Sequence, residues 1–173
     1  MSCEITSGYS KQACRNRGGV KSIIPIESSN LDTYTTDGAG TVTALTSTST
    51  AFRFSFDVNS ASMTQTATGD RANGAMTVIQ GGQMILKDDE LATDQHVNTL
   101  LKGYHHVVVE FRNGKTKFYG AVNGLTITTG DGVSGQAGTD LNGWTLNFEG
   151  DEDDVAPIIT DAAIITALLA VHP

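Results

Sequence analysis

The stretch His105-His106-Val107-Val108-Val109-Glu110-Phe111-Arg112 runs into Asn113-Gly114. Lys115-Thr116-Lys117-Phe118-Tyr119-Gly120-Ala121-Val122 then runs into Asn123-Gly124, and Leu125-Thr126-Ile127-Thr128-Thr129 follows. β-Branched and aromatic residues dominate all three runs, which suits strands. Asn-Gly supplies the positive φ angles of a two-residue type I′ hairpin turn, so the pattern predicts a three-stranded meander with a defined register. Glu110 then faces Lys117, Val109 faces Phe118, Val122 faces Leu125 and Gly120 faces Ile127. Val107, Val109, Phe111, Phe118, Val122, Leu125 and Ile127 share the core face, and His106, Glu110, Lys117, Tyr119, Thr126 and Thr128 the other. On this reading Val109→Asp buries a charge and abolishes soluble protein, while Val108→Asp is milder.

Working outward, Asp89–Lys102 reads as a helix. Asp88, Asp89 and Glu90 sit where its N-terminal N–H groups favour carboxylates, and Lys102-Gly103 closes it. Leu91, Val97, Leu100 and Leu101 fall on one side. Before it, Ala75–Leu86 reads as a strand interrupted by a bulge at Gly81-Gly82. Phe52, Phe54, Phe56 and Val58 alternate with Arg53, Ser55 and Asp57 as a strand with one apolar face. The Thr/Ser/Gly stretch 35–50 is either a flexible loop or an extended hairpin arm that orders against a neighbour. Val20–Ile26 is a strand that Pro25 confines to an edge or a bulge. After the meander, Gly130–Asp140 reads as a loop and Trp144, Leu146 and Phe148 as the inward side of a strand. The acidic run Asp151–Asp154 precedes Pro157-Ile158-Ile159 and a nearly all-apolar tail, Ala162–Val171, which either folds back or docks on a neighbour.

The 173 residues, 39% of them hydrophobic, suffice for one domain with a sizeable core. Nineteen glycines and 17% charged residues fit short strands and many turns. No apolar run approaches the roughly 20 residues of a membrane span. The opening Met1–Gly8 lacks the pattern of a secretory signal, so a cytoplasmic site of synthesis and folding is expected. Net charge is -8, which disfavours a grip on nucleic acid, since phosphates are repelled rather than neutralised. The charge is uneven. Residues 1–21 hold Lys11, Arg15, Arg17 and Lys21 against Glu4 alone, whereas residues 131–173 hold eight acids and no Lys or Arg. Such runs are either solvated patches or the two halves of a head-to-tail contact between copies.

No residue constellation here points to catalysis. Cys3 and Cys14 match neither a zinc nor a redox spacing and read as plain thiols. His105 and His106 are adjacent on a strand and point to opposite faces, so with His96 they make ordinary strand histidines rather than a chelate. Asp151–Asp154 lacks the alternating ligands and central glycine of a calcium loop. Gly18-Gly19 and Gly130-Asp131-Gly132 lack the lysine and the strand–loop–helix frame of a phosphate loop. No Gly-x-Ser-x-Gly elbow is present. No cofactor is expected.

Taken in order, several motifs resemble the tail tube proteins of tailed phages, particularly those of phages with Bacteroidetes-type hosts. They begin with Cys3, Gly8, Cys14 and Gly18-Gly19-Val20. They are strongest in Val107–Lys115, Tyr119–Leu125 and Gly143–Gly150, and they close with Glu152 and Ala156–Ile159. The likeness spans nearly the whole chain; each motif alone is a strand–turn–strand, and order and spacing carry the weight. It implies a mainly β fold, a β-sandwich or small barrel with one flanking α-helix and extended arms. It also implies assembly with copies of itself into stacked rings, usually hexameric, around a conduit that DNA crosses without specific binding. Other tail or head–tail connector proteins would be further partners, with no membrane anchor and no catalytic residue. The protein would then reside in the virion tail after assembly in the host cytoplasm. Residues 1–160 form the tube-like domain on this reading, with 161–173 as an apolar tail beyond it.

The residues expected at subunit contacts are Lys11, Arg15, Arg17 and Lys21 on the basic side, Asp151, Glu152, Asp153 and Asp154 on the acidic side, and Ile164, Ile165, Leu168 and Leu169 in the tail. A capsid decoration or head–tail completion protein is the nearest alternative. A carbohydrate-binding module is the alternative from another class; the single Trp144, on an inward face, speaks against it.

Overall fold

The computed structural model describes residues 8–9, 17–70, 72, 74–87, 91–137 and 139–170. Among the described residues eleven strands and two α-helices follow one another as β1 (Val20–Glu27), β2 (Leu31–Thr36), β3 (Val42–Ser47), β4 (Phe54–Ser55), β5 (Ala61–Asp70), β6 (Ala75–Lys87), α1 (Leu91–Leu100), β7 (His105–Phe111), β8 (Thr116–Tyr119), β9 (Thr126–Val133), β10 (Gly143–Glu152), β11 (Ile158–Ile159) and α2 (Ala162–Leu169). They build a β-sandwich of a five-stranded sheet, β11-β8-β7-β1-β4, and a four-stranded sheet, β5-β6-β10-β9, with β2-β3 as a separate hairpin. One core lies between the two large sheets and beneath α1, around Ile23, Val97, Val107, Val109, Leu146 and Phe148. A second lies on the opposite face of the five-stranded sheet, where Ile24, Val108 and Phe118 meet Val42 and Leu45 of the hairpin and Ile165 and Leu168 of α2. The five-stranded sheet is therefore covered on both sides, which is why the Val107–Val109 run has no polar alternation.

This corrects the expected meander. Val108 pairs with Phe118 and Val109 with Lys117, one residue away from the two-residue register. Phe111 N–H donates to the Lys115 carbonyl and Gly114 N–H to the Phe111 carbonyl, so the loop holds three residues. Gly114 has φ +81° while Asn113 stays at negative φ. That is a type I turn closed by a glycine bulge, not a type I′ turn. The slip exchanges faces: Phe118 enters the second core and Tyr119 the first, and Val108 and Val109 are both fully buried. Asn123-Gly124 makes no hairpin either. After Gly120 (φ +62°) the chain crosses to the other sheet, and β9 pairs with β10. Leu125 keeps a single bridge to His105, and Val122 is exposed.

Other expectations shift for stated reasons. β6 runs unbroken through Gly81-Gly82 with no bulge. The glycines are there because a Cβ on Gly81 would lie 2.7 Å from the Phe148 carbonyl oxygen, and one on Gly82 would run into the Ser62 carbonyl. The Phe52–Val58 strand shrinks to β4, with Phe52 and Val58 exposed. Ser28 N–H bonds to Tyr104 O on the β7 side, so the odd-numbered residues of β1 face β4. Ile23 pairs with Phe54, and the next rung would set Phe52 against Pro25, which has no N–H to give. β9 extends to Val133 through Gly130 and Gly132, two positions where a Cβ would press on Leu146 and on the Trp144 ring. The 35–50 stretch is an ordered hairpin whose tip Asp37 caps by accepting from Ala39 N–H and Thr41 N–H, both at 2.9 Å. Ala162–Leu169 of the apolar tail folds back as α2 and packs on the domain; Asp161 caps its N-terminus and its Leu168 carbonyl accepts from Ala51 N–H.

Candidate functional site

The feature that stands out is the solvent face of the four-stranded sheet. Alternation along β10 turns Trp144, Leu146 and Phe148 into the core and leaves Thr145, Asn147, Glu149 and Asp151 outside. The register puts Thr77, Gln83 and Ile85 of β6, Ser62, Thr64 and Thr66 of β5, and Thr126, Thr129 and Asp131 of β9 on that same side. Short polar side chains bond across the strands. Gln83 Nε2 donates to Asn147 Oδ1 at 3.1 Å, Asn147 Nδ2 to Thr129 Oγ1 at 2.7 Å, and Thr77 Oγ1 to Asp151 Oδ1 at 2.8 Å. Lys87, at one end of the face, is held by Asp57 at 3.0 Å. Among the described residues the rest of this face carries four carboxylates, Asp70, Asp131, Glu149 and Asp151, and no other cation. Its wall is mostly hydroxyl and amide with scattered negative charge, interrupted by the aliphatic Ile79, Ile85 and Val133.

Both edges of this sheet are open among the described residues: β5 on one side and β9 on the other. β5 has ten residues with no Pro and no Lys, and its pairing to β6 is regular throughout. β9 has eight residues and one irregularity opposite Asn147/Phe148. Edge strands that avoid pairing usually carry Lys, Pro or a bulge, so β5 lacks the usual guards. Beyond Thr66 the β5–β6 ribbon is largely exposed and extends past the rest of the sandwich.

The residues expected at contacts fall into different places. Lys11 and Arg15, like Cys3 and Cys14, lie outside the described residues, as do the Asp88–Glu90 carboxylates. Arg17 and Lys21 are exposed, as are Asp151, Asp153 and Asp154. Glu152 is not part of a solvated acidic run. It is buried, and its carboxylate accepts from Val122 N–H and from Asn123 N–H at 2.8 Å, pinning the crossover after β8. Ile165 and Leu168 are buried in the chain's own second core, and Ile164 and Leu169 pack against it. Ile165 and Leu168 are therefore removed from the surface, while Ile164 and Leu169 stay half-buried. The open edges do not follow from the sequence pattern, in which Leu125–Thr129 reads as the third strand of the meander; the repeated Thr at every second position of β5 is the available signal.

The histidines point apart as expected. His105 Nε2 donates to the Leu100 carbonyl at 3.0 Å, and burial lowers its pKa. His106 bonds the Gly120 carbonyl through Nδ1 and the Ser28 hydroxyl through Nε2, with its ring stacked on Phe118. Among the described residues no group of three or more His, Cys, Asp or Glu could hold a metal ion. Trp144 donates from its indole N–H to Asp94 of α1 at 2.9 Å, so the ring is engaged between strand and helix. No described helix is long and apolar enough to cross a membrane. No family model matches the chain, and no match to a curated protein or to a solved structure is found.

Proposed function

We propose that this chain is a structural subunit that joins copies of itself into rings and stacked tubes, a conduit of the phage tail tube kind through which DNA slides. The observation that carries the reading is the pair of open edges with matching direction. In a four-stranded antiparallel sheet the two edge strands run opposite ways. A neighbour's β5 laid along β9 therefore continues the antiparallel alternation, and the contact is heterologous, the kind that closes into rings.

The offset of the two edges adds support. β9 spans the levels of Gly143–Glu149 of β10, while β5 starts at the level of Leu146 and ends three positions past Glu152. Their midpoints differ by about 4.5 residues, or about 15 Å along the strands. Across a sheet about 19 Å wide, full edge pairing then needs strands tilted by about 38°, inside the roughly 35–45° range of closed barrels. The solvent face would line the bore. Hydroxyls, amides, a few aliphatic side chains and four carboxylates give phosphates nothing to grip, which is what passage of a polyanion needs.

The test uses one cysteine pair. Centring the edges sets Thr66 beside Thr129 of the next copy, both on the solvent face, while within one copy β6 and β10 lie between their strands. In a Cys3→Ser/Cys14→Ser background, oxidised Thr66→Cys/Thr129→Cys protein gives a ladder of covalent multimers on a non-reducing gel, and each single variant stops at dimers or below. A double variant that stays monomeric while circular dichroism reports a folded chain contradicts the reading.

A further inference from the structure

We propose that the two ends of the sandwich bind each other between copies, with an acid-rimmed apolar patch at the β5–β6 ribbon end seating on a basic corner at the opposite end of the next copy. The inference rests on the tube reading and adds its axial contact.

The patch is assembled by the crossover. Val78, opposite Glu152, is buried, but Met76 two residues further along the same side of β6 is 61% exposed. Glu152 holds the backbone of Val122, whose side chain is 67% exposed. Gln80 donates to the Asp154 carbonyl and Gln65 accepts from Ala156 N–H, which holds Val155 beside the ribbon at 63% exposure. Three large apolar side chains are thus exposed on segments that these bonds tie together at one end of the sandwich, with the exposed carboxylates of Asp153 and Asp154 on the same segment as Val155. An apolar centre with a charged rim is the anatomy of an interface.

The corner is traced through hydrogen bonds. Arg112 N–H donates to the Gly19 carbonyl, and its guanidinium to the Phe56 carbonyl at 2.6 Å. Phe56 N–H donates to the Lys21 carbonyl, and the next residue, Asp57, holds Lys87. Lys21 and Lys115 are exposed there and Arg112 half-exposed. Lys87 pairs with Gly143 at one end of β10, whereas Asp151 and Glu152 end it. The two ends of β10 thus lie about 30 Å apart at about 3.3 Å per residue, and Asp154 and Lys115 are nearer, within about 25 Å by way of the Ile158–Lys117 rung. These spans are on the order of two to four Debye lengths at physiological salt, so attraction within one copy is largely screened. A second copy brings them together, and a contact between unlike ends propagates along an axis.

The experiment uses the full chain in the Thr66→Cys/Thr129→Cys background, so that lateral and axial contacts are read separately. Lys21→Glu/Lys115→Glu is expected to keep the cross-linked ladder and to lose long tubes in negative-stain images and sedimentation. Adding Asp153→Lys/Asp154→Lys is expected to restore tubes, and raising salt from about 50 mM to about 500 mM is expected to shorten those of the parent. Parent-length tubes from Lys21→Glu/Lys115→Glu overturn the proposal. So does a fourfold variant that cross-links but does not stack, or a loss of the ladder together with the tubes, which would put these charges in the lateral seam. Absence of the ladder in the parent removes the tube reading itself.

Discussion

Val108 and Val109 are adjacent, both without exposed surface, and they belong to different cores. Either one changed to Asp strands a carboxylate in apolar packing, at a cost on the order of several kcal/mol. Val108→Asp and Val109→Asp are therefore expected to lose soluble expression to the same degree, which a side-by-side expression and thermal-melt comparison reads directly. His105 carries the pH dependence at this scale. Burial, assisted by His106, lowers its folded-state pKa against the opposing bond to Leu100 and the charge of Glu27. The unfolded chain takes up the proton near its ordinary 6.5 and the folded chain resists it. The stabilising difference is thus fully present above about pH 6.5 and fades as pH falls through the depressed folded value. The melting temperature is expected to drop between pH 7 and pH 5, and His105→Asn is expected to flatten that drop. An unchanged slope in His105→Asn would remove His105 as its source.

At the scale of elements, legibility followed how many physical solutions a motif allows. The Trp144–Phe148 alternation has one, and its inward side is as expected. The helix was legible from Val97 and Leu100, both buried, although Leu101 is 45% exposed. Asn113-Gly114 has two solutions, since the same dipeptide serves a two-residue turn and a three-residue turn with a glycine bulge. Side chains one position away decide between them, and the unalternating Val107–Val109 run was the signal for a strand covered on both faces. The short extent of β4 is not visible locally, because the Pro25 that ends its ladder is some thirty residues earlier. Gly81-Gly82 is ambiguous in sequence, because glycine marks both bulges and close approaches. Gly82→Ala is accordingly expected to cost about 3 kcal/mol by overpacking. Gly69→Ala, on the open ribbon where a Cβ meets nothing closer than 3.9 Å, is expected to be neutral or slightly stabilising. Chemical denaturation of the two variants compares them, and equal losses would mean that the β5–β6 pairing tolerates Gly82 substitution by shifting.

For the whole molecule, the organisation follows from one sheet being buried on both faces and the other on one. The five-stranded sheet takes the hairpin and α2 as its outer cover, which is why the apolar tail is consumed internally. The four-stranded sheet keeps a polar face and two open edges, and the assembly account depends on those. Charge placement is only partly legible: Asp153 and Asp154 are exposed as an acidic run would be, but Lys115 and Arg112 join Lys21 only through the fold, and Glu152 is a buried cap whose partners lie about thirty positions away. A three-dimensional reconstruction of assembled tubes by electron cryomicroscopy shows whether the edges pair. The expected map is a hollow tube whose bore is one continuous antiparallel sheet, with strands tilted by about 38° and the Thr129, Asn147 and Gln83 face turned inward. Tubes whose neighbouring β5 and β9 edges do not pair, or whose bore is lined by the β2–β3 hairpin and α2, would contradict it.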